Sequence, residues 1–100
     1  MSEEVQAGVV KSNVYALKNF KDGRKRVITF FEMKENGEYE DGTTLEEMLR
    51  VSFARLFDLN GRFPCEENKN AMIKMTEALM WLNKRTEDRV NRGVEGKHEA

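Results

Sequence analysis

The 100-residue chain contains one cysteine, one proline and one histidine, and each scarcity closes a class of explanation. With Cys65 alone no intrachain disulfide can form, and a zinc site would need ligands other than Cys65 and His98. His98, near the end of the chain, has no second histidine beside it, and Cys65 has no base placed to activate it. Neither a P-loop, a dinucleotide-fold glycine pattern nor a zinc spacing is present, and no calcium-ligand spacing follows Asp41-Gly42. No cofactor is therefore expected, and binding is expected rather than catalysis. Long hydrophobic runs are also missing: none approaches the ~20 residues that cross a bilayer. Met1-Ser2-Glu3-Glu4 lacks the positive and apolar regions of a secretory signal, so a cytoplasmic location is expected. An excess of one charge is missing too. Charged residues make up 35% of the chain, yet the net charge is −1, which argues against a membrane surface or a nucleic-acid polymer as partner. A local basic patch stays open.

What is present fits one small α+β domain, a β-rich part over residues 1–42 and a helical hairpin over 43–100. Six Phe, six Met and one Trp make an adequate but thin core, and self-association is an early expectation. In the first part, residues 5–10 and 14–17 read as short strands. Asp22-Gly23 supplies the positive φ of a tight hairpin. Residues 26–33 form the strongest strand, although the adjacent pairs Val27-Ile28 and Phe30-Phe31 break the alternation and suggest that both faces are covered. Asn36-Gly37 predicts a second hairpin with Glu38-Tyr39-Glu40 returning, and Asp41-Gly42 a closing turn.

The second part is helical. Thr44-Leu45-Glu46-Glu47 fits a capping box, which accounts for both glutamates without acid–base work. Leu45, Met48, Leu49, Phe53 and Leu56 follow at helical spacing. Asn60-Gly61 predicts the stop, and Pro64 keeps the first helix from running into the second. The second helix is predicted from Cys65 or Glu66 to Asn91, with Gly93 as terminator and Cys65 partly buried at the turn. A short connection makes the pair antiparallel. At ~100° per residue, Met72, Met75, Leu79, Leu82 and Val90 share the packing face, with Ala71 and Ala78 at its edge. Trp81 falls on a neighbouring stripe with Arg85, Asp88 and Arg92, and Arg89 lies between the two. Such a strip suits phosphate and a stacked base. On spacing alone the favoured reading is the plainer one, solvated arginines that complement a helix C-terminus and a tryptophan in subunit or loop packing. Periodicity does not settle the choice.

Residues 64–98 carry a more specific pattern: Pro64-Cys65-Glu66-Glu67-Asn68, Ala71, Lys74, Glu77-Ala78-Leu79-Met80-Trp81-Leu82, Arg85-Thr86, Arg89 and Arg92-Gly93-Val94-Glu95-Gly96-Lys97-His98. Together with the first helix, these roughly sixty residues resemble the helical hairpin domain of the phage anti-defence "sponge" family, shared by Thoeris and CBASS inhibitors. The β-rich part is similar in outline to the Thoeris-inhibitor branch. One departure stands out, since members often carry Arg where this chain has Glu66. The resemblance implies sequestration of cyclic oligonucleotides or cyclic ADP-ribose isomers in the cytoplasm of an infected bacterium. It also implies a homo-oligomer, a dimer or up to a hexamer, built through the hairpins. Under that implication Arg55, Arg85, Arg89 and Arg92 are the candidate phosphate contacts. Trp81 is a candidate for hairpin association or base stacking, and Tyr15 and Phe31 for stacking in a pocket formed by the sheet. An oligomeric assembly module with no nucleotide ligand is the alternative.

Overall fold

A computed structural model describes residues 8–93. The chain divides between Thr43 and Thr44 into two compact units. In element order these are β1 (Val9–Lys11), β2 (Val14–Lys18), β3 (Lys25–Thr29), β4 (Glu32–Met33) and β5 (Tyr39–Glu40), then α1 (Leu45–Arg62) and α2 (Glu66–Asn91). The fold class is α+β, an antiparallel β part followed by a helical hairpin.

In the N-terminal unit β1, β2 and β3 form one antiparallel sheet, and β4 and β5 a second. The first predicted strand shifts to Val9–Lys11, and the part of it before Gly8 lies outside the described residues. Between β2 and β3 the register runs from Val14↔Thr29 to Lys18↔Lys25. Asp22-Gly23 closes this hairpin as expected: Asp22 Oδ1 accepts from the Arg24 N–H at 2.9 Å and Gly23 has φ +71°.

The long strand expected over residues 26–33 is interrupted. Phe30 leaves the ladder for an isolated parallel bridge with Thr43, and only Glu32–Met33 resume pairing, now with Tyr39–Glu40. The returning chain causes the break. The Thr43 N–H donates to the Thr29 carbonyl (2.9 Å) and the Phe31 N–H to the Thr43 carbonyl (2.8 Å). Gly42 makes this approach possible, because a Cβ there would collide with the Thr29 carbonyl oxygen. The unmatched pairs Val27-Ile28 and Phe30-Phe31 thus record a strand that changes partners.

The deepest described residue is polar. Asn13, 4% exposed, sits in the β1–β2 turn beside Val14 at 9%. Its Nδ2 donates to the Phe30 carbonyl (3.1 Å) and to Glu40 Oε1 (2.7 Å), and Lys11 Nζ reaches the same carboxylate oxygen at 3.3 Å. Ser12 Oγ donates to Glu32 at 3.0 Å. Glu32 and Glu40 oppose one another in the β4–β5 ladder, and the turn of the first hairpin supplies donors to both. The two sheets are joined through side-chain hydrogen bonds that no periodicity announces.

The C-terminal unit is the expected antiparallel hairpin. Thr44 caps α1, its Oγ1 accepting from the Glu47 N–H at 3.1 Å. The Glu47 carboxylate meets Arg50 at 3.2 Å. Asn60-Gly61 does not stop α1, which continues to Arg62. Asn60 instead spends its side chain on the interhelical turn, Oδ1 accepting from the Cys65 N–H at 3.1 Å, and Pro64 makes the break. Cys65 is exposed rather than partly buried, and caps α2 by accepting from the Asn68 N–H at 3.4 Å.

Half-burial along the helices follows a heptad. On α2 it falls on Asn68, Met72, Met75, Leu79, Leu82, Thr86 and Arg89, and on α1 it includes Glu46, Leu49, Phe53, Leu56 and Asn60. Steps of three and four alternate throughout, the seam of a two-helix coiled coil. Neither helix buries a residue fully. Val90, expected on the packing face, is 55% exposed. Because Glu46, in the first turn of α1, stands opposite Arg85-Thr86, α2 runs on past its partner, and no α1 residue covers Val90.

Candidate functional site

The seam decides what the hairpin leaves outside. Polar residues close both of its ends: Asn60 and Asn68 at the turn, Glu46 and Thr86 at the open end. Between them Leu49, Phe53 and Leu56 face the two methionines and two leucines of α2. The stripe is two residues wide per heptad, so other apolar side chains remain at the surface. Val51, Phe57, Ile73, Met80 and Trp81 are all more than half exposed.

Trp81, 62% exposed, heads a strip on one flank of α2. Arg85 follows one turn later and Arg92 two turns after that, at ~1.5 Å per residue. Arg85 is held across the hairpin: Nη2 lies 3.6 Å from Glu46 Oε1, while Thr86 Oγ1 donates to Glu46 Oε2 at 3.3 Å. Asp88, on the same strip, is engaged by Lys84 at 3.5 Å. Arg89 belongs to the seam itself and is half-buried, and Arg92 caps the helix in the open.

Arg55 is exposed on α1 and pairs with Asp58 at 3.6 Å. It occupies the heptad position on α1 that Trp81 occupies on α2, two residues beyond a seam residue. In an antiparallel pair equivalent flanks lie on one side, so Arg55, Trp81, Arg85 and Arg92 share a face of the hairpin. With Glu46 level with Thr86, Arg55 and Trp81 are about 6 Å apart along the axis. Four of the expected contact residues therefore lie along one face, spread over about 22 Å from Arg55 to Arg92, with Arg89 behind them. The strip offers guanidinium forks for phosphate oxygens and an indole face for a base.

Tyr15 and Phe31 lie in the N-terminal unit and join different aromatic pairs. Tyr15 meets Phe30 edge to face, centroids 5.7 Å apart, and its hydroxyl reaches the Ser12 carbonyl at 3.4 Å. Phe31 tilts against Tyr39 at 5.5 Å. The structure does not bring the two rings into one stacking pocket. Among the described residues no group of three or more His, Cys, Asp or Glu is placed to hold a metal ion. None of their helices is long and apolar enough to cross a membrane.

Two features escaped sequence reasoning. Glu46, read as a dipole and capping residue, tethers Arg85 and Thr86 forty residues away. Its place in the seam, three before Leu49 and seven before Phe53, was the available signal. The second is an open groove on α2, lined by Thr76, Leu79, Met80, Asn83, Lys84, Glu87 and Asp88. It contains none of the expected contacts.

Comparison with known proteins bears on this face directly. The family model of the Acb2/Tad1 hairpin domain matches residues 27–87, more than half of the chain. Trp81, Arg85 and Arg55 fall inside the match, whereas Arg89, Arg92 and Tyr15 fall outside it. A protein described as Thoeris anti-defense 1, from Bacillus phage SBSphiJ7, is 48% identical over 60 residues. That alignment covers 59% of this chain and 42% of the relative, so this chain matches less than half of the relative's length.

Proposed function

This chain belongs to the Acb2/Tad1 hairpin-domain family, and on that premise we propose that it is a phage anti-defence protein that binds a cyclic nucleotide immune signal without cleaving it. The observation that carries this reading is that exposed Trp81 and Arg85 stand one turn apart on a single strip inside the matched stretch, on a face that also bears Arg55. Arginine forks suit phosphodiester oxygens and the indole suits a base. These groups bind and orient; they offer neither a nucleophile nor a base for hydrolysis, so the signal is held rather than consumed.

One hairpin presents too few cations to surround a ring with several phosphates. A symmetric junction repeats each arginine once per copy, which fits a cyclic trinucleotide. The exposed apolar residues Val51, Ile73, Met80 and Trp81 supply surface for such a junction. We therefore place the ligand between copies of a homo-oligomer, from a dimer up to a hexamer, in the cytoplasm of the infected bacterium. Tyr15 and Phe31 are assigned to a separate, smaller contribution from the N-terminal unit.

Isothermal titration calorimetry against cyclic dinucleotides, cyclic trinucleotides and cyclic ADP-ribose isomers tests the proposal. Tight binding with less than one ligand per chain, and intact ligand recovered after denaturation, is the expected result. The same exposed apolar side chains favour a second reading, an assembly module with no nucleotide ligand. A folded oligomer silent across the whole panel would establish that reading instead.

A further inference from the structure

The chain is close to neutral, yet its positive charge is not evenly spread. Residues 18–26, at the tip of the β2–β3 hairpin, contain Lys18, Lys21, Arg24, Lys25 and Arg26 against a single carboxylate, in a chain of net charge −1. All five cations are exposed, and among the described residues none forms an ion pair. The one acid, Asp22, turns its side chain to the Arg24 backbone.

Two details exceed what a turn requires. Lys18 and Lys25 are direct partners in the antiparallel register, and like charges placed directly opposite one another destabilise a sheet. Phe20 stands fully exposed in the loop between them. A lone ring with every face in water contributes nothing to the fold. Arg26, meanwhile, is oriented: its Nε donates to Asn19 Oδ1 at 2.9 Å, which leaves the two Nη groups for a ligand.

We propose that this hairpin tip is a binding site for single-stranded nucleic acid, with Phe20 stacking on a base and Lys18, Arg24, Lys25 and Arg26 contacting the backbone phosphates. A side chain at a turn reaches a base face only where the base is unstacked, which excludes an intact duplex. Lys18 and Lys25 share one face of the ribbon, while Leu17 and Arg26 share the other. A flexible strand can follow cations around both faces, whereas a flat bilayer touches one. The site involves none of the hairpin-helix residues and does not rest on the proposed cyclic nucleotide function.

The test is fluorescence anisotropy of a labelled oligothymidylate with the full-length protein, between about 50 and 200 mM salt. Four phosphate contacts predict a slope of log affinity against log salt of about −2.8. Phe20→Ala is expected to weaken binding about 5- to 150-fold at unchanged slope. The double replacement Lys18→Gln with Lys25→Gln is expected to flatten the slope by about 1.4. It should also raise the melting temperature, since the like-charge pair is gone, so lost binding cannot be mistaken for lost fold. Absence of saturable binding at the lower salt, or an affinity indifferent to Phe20→Ala, overturns the proposal. Binding to phosphatidylserine vesicles but not to the oligonucleotide overturns it in favour of a membrane surface. Equal loss of cyclic trinucleotide uptake in Phe20→Ala overturns it by assigning the tip to the small ligand.

Discussion

Glu46 holds Arg85 across the open end of the helical hairpin, its carboxylate 3.6 Å from the guanidinium and its second oxygen accepting from Thr86 at 3.3 Å. The arginine best placed to meet a ligand is thus already occupied from the opposite helix. With Arg85 about half exposed, this pair stabilises the hairpin by less than about 1 kcal/mol. That is too little to fasten the two helices by itself.

Removing Arg85 is expected to leave the fold intact and abolish most nucleotide uptake. A charge-assisted hydrogen bond to phosphate contributes about 1.5–3 kcal/mol, so Arg85→Ala should weaken binding roughly 10- to 150-fold. Arg89→Ala is expected to act in the same direction. Calorimetry on both variants, beside their circular dichroism, decides; unchanged affinity in both removes the phosphate role.

Glu46→Gln separates aiming from competition. The amide keeps the size and can still accept from Thr86, but it frees Arg85 of the charge. Binding equal to or tighter than that of the natural chain is expected, with a stability loss in urea below about 1 kcal/mol. A loss of affinity matching Arg85→Ala would instead make Glu46 a residue that orients Arg85 for the ligand.

Trp81→Ala is expected to disturb assembly more than monomer folding, because the ring lies outside the seam and is 62% exposed. Light scattering should report a smaller particle with helicity retained. An unchanged mass would confine Trp81 to base stacking.

Gly42→Ala is expected to damage the N-terminal unit alone. The added methyl group meets the Thr29 carbonyl oxygen and the Phe30 backbone, and overpacking of that kind costs about 1–3 kcal/mol. Faster hydrogen exchange at Phe31 and Thr43, with α1 and α2 amides unaffected, is the expected pattern. Protection preserved at both amides would show that the chain crossing tolerates the methyl.

Acid should loosen the same unit. The hydrogen bond from Asn13, then that from Lys11, hold the Glu40 carboxyl below its ordinary value of 4.5, against the opposing effect of desolvation. A carboxylate depressed in the folded state contributes stability that is present above its unfolded pKa and lost as pH falls through the folded one. The decline therefore starts near 4.5 and proceeds downward. Glu40→Gln should flatten that limb in a denaturation series below pH 5, and an identical acid limb in the variant would locate the effect elsewhere.

The hairpin was legible because its information is local. A capping threonine, a proline and a repeating apolar spacing fix two helices and their antiparallel order without knowledge of anything distant. The same spacing placed Trp81 and Arg85 on one flank. It misplaced Val90, since periodicity gives direction but not whether a partner helix extends far enough to cover it. Asn60-Gly61 misled for a related reason: a residue pair that often ends helices remains helical when Asn60 finds a better use bonding the turn. The sheet was less readable. Phe30 departs from its ladder because Thr43 arrives there, and Asn13 is buried because Glu40 receives its amide, both contacts between segments far apart in sequence.

The unbroken alternation of threes and fours along the seam also restricts how this protein can change length. One residue inserted between Met75 and Leu79 would turn everything beyond it by about 100°, carrying Trp81 and Arg85 off the face they share with Arg55. A deletion would do the same in the opposite sense. Gains and losses within α2 are therefore tolerable in whole heptads, or where a compensating change restores the phase, whereas the loops of the β part face no such counting rule. Among descendants of this gene, helix lengths in the hairpin should differ by sevens.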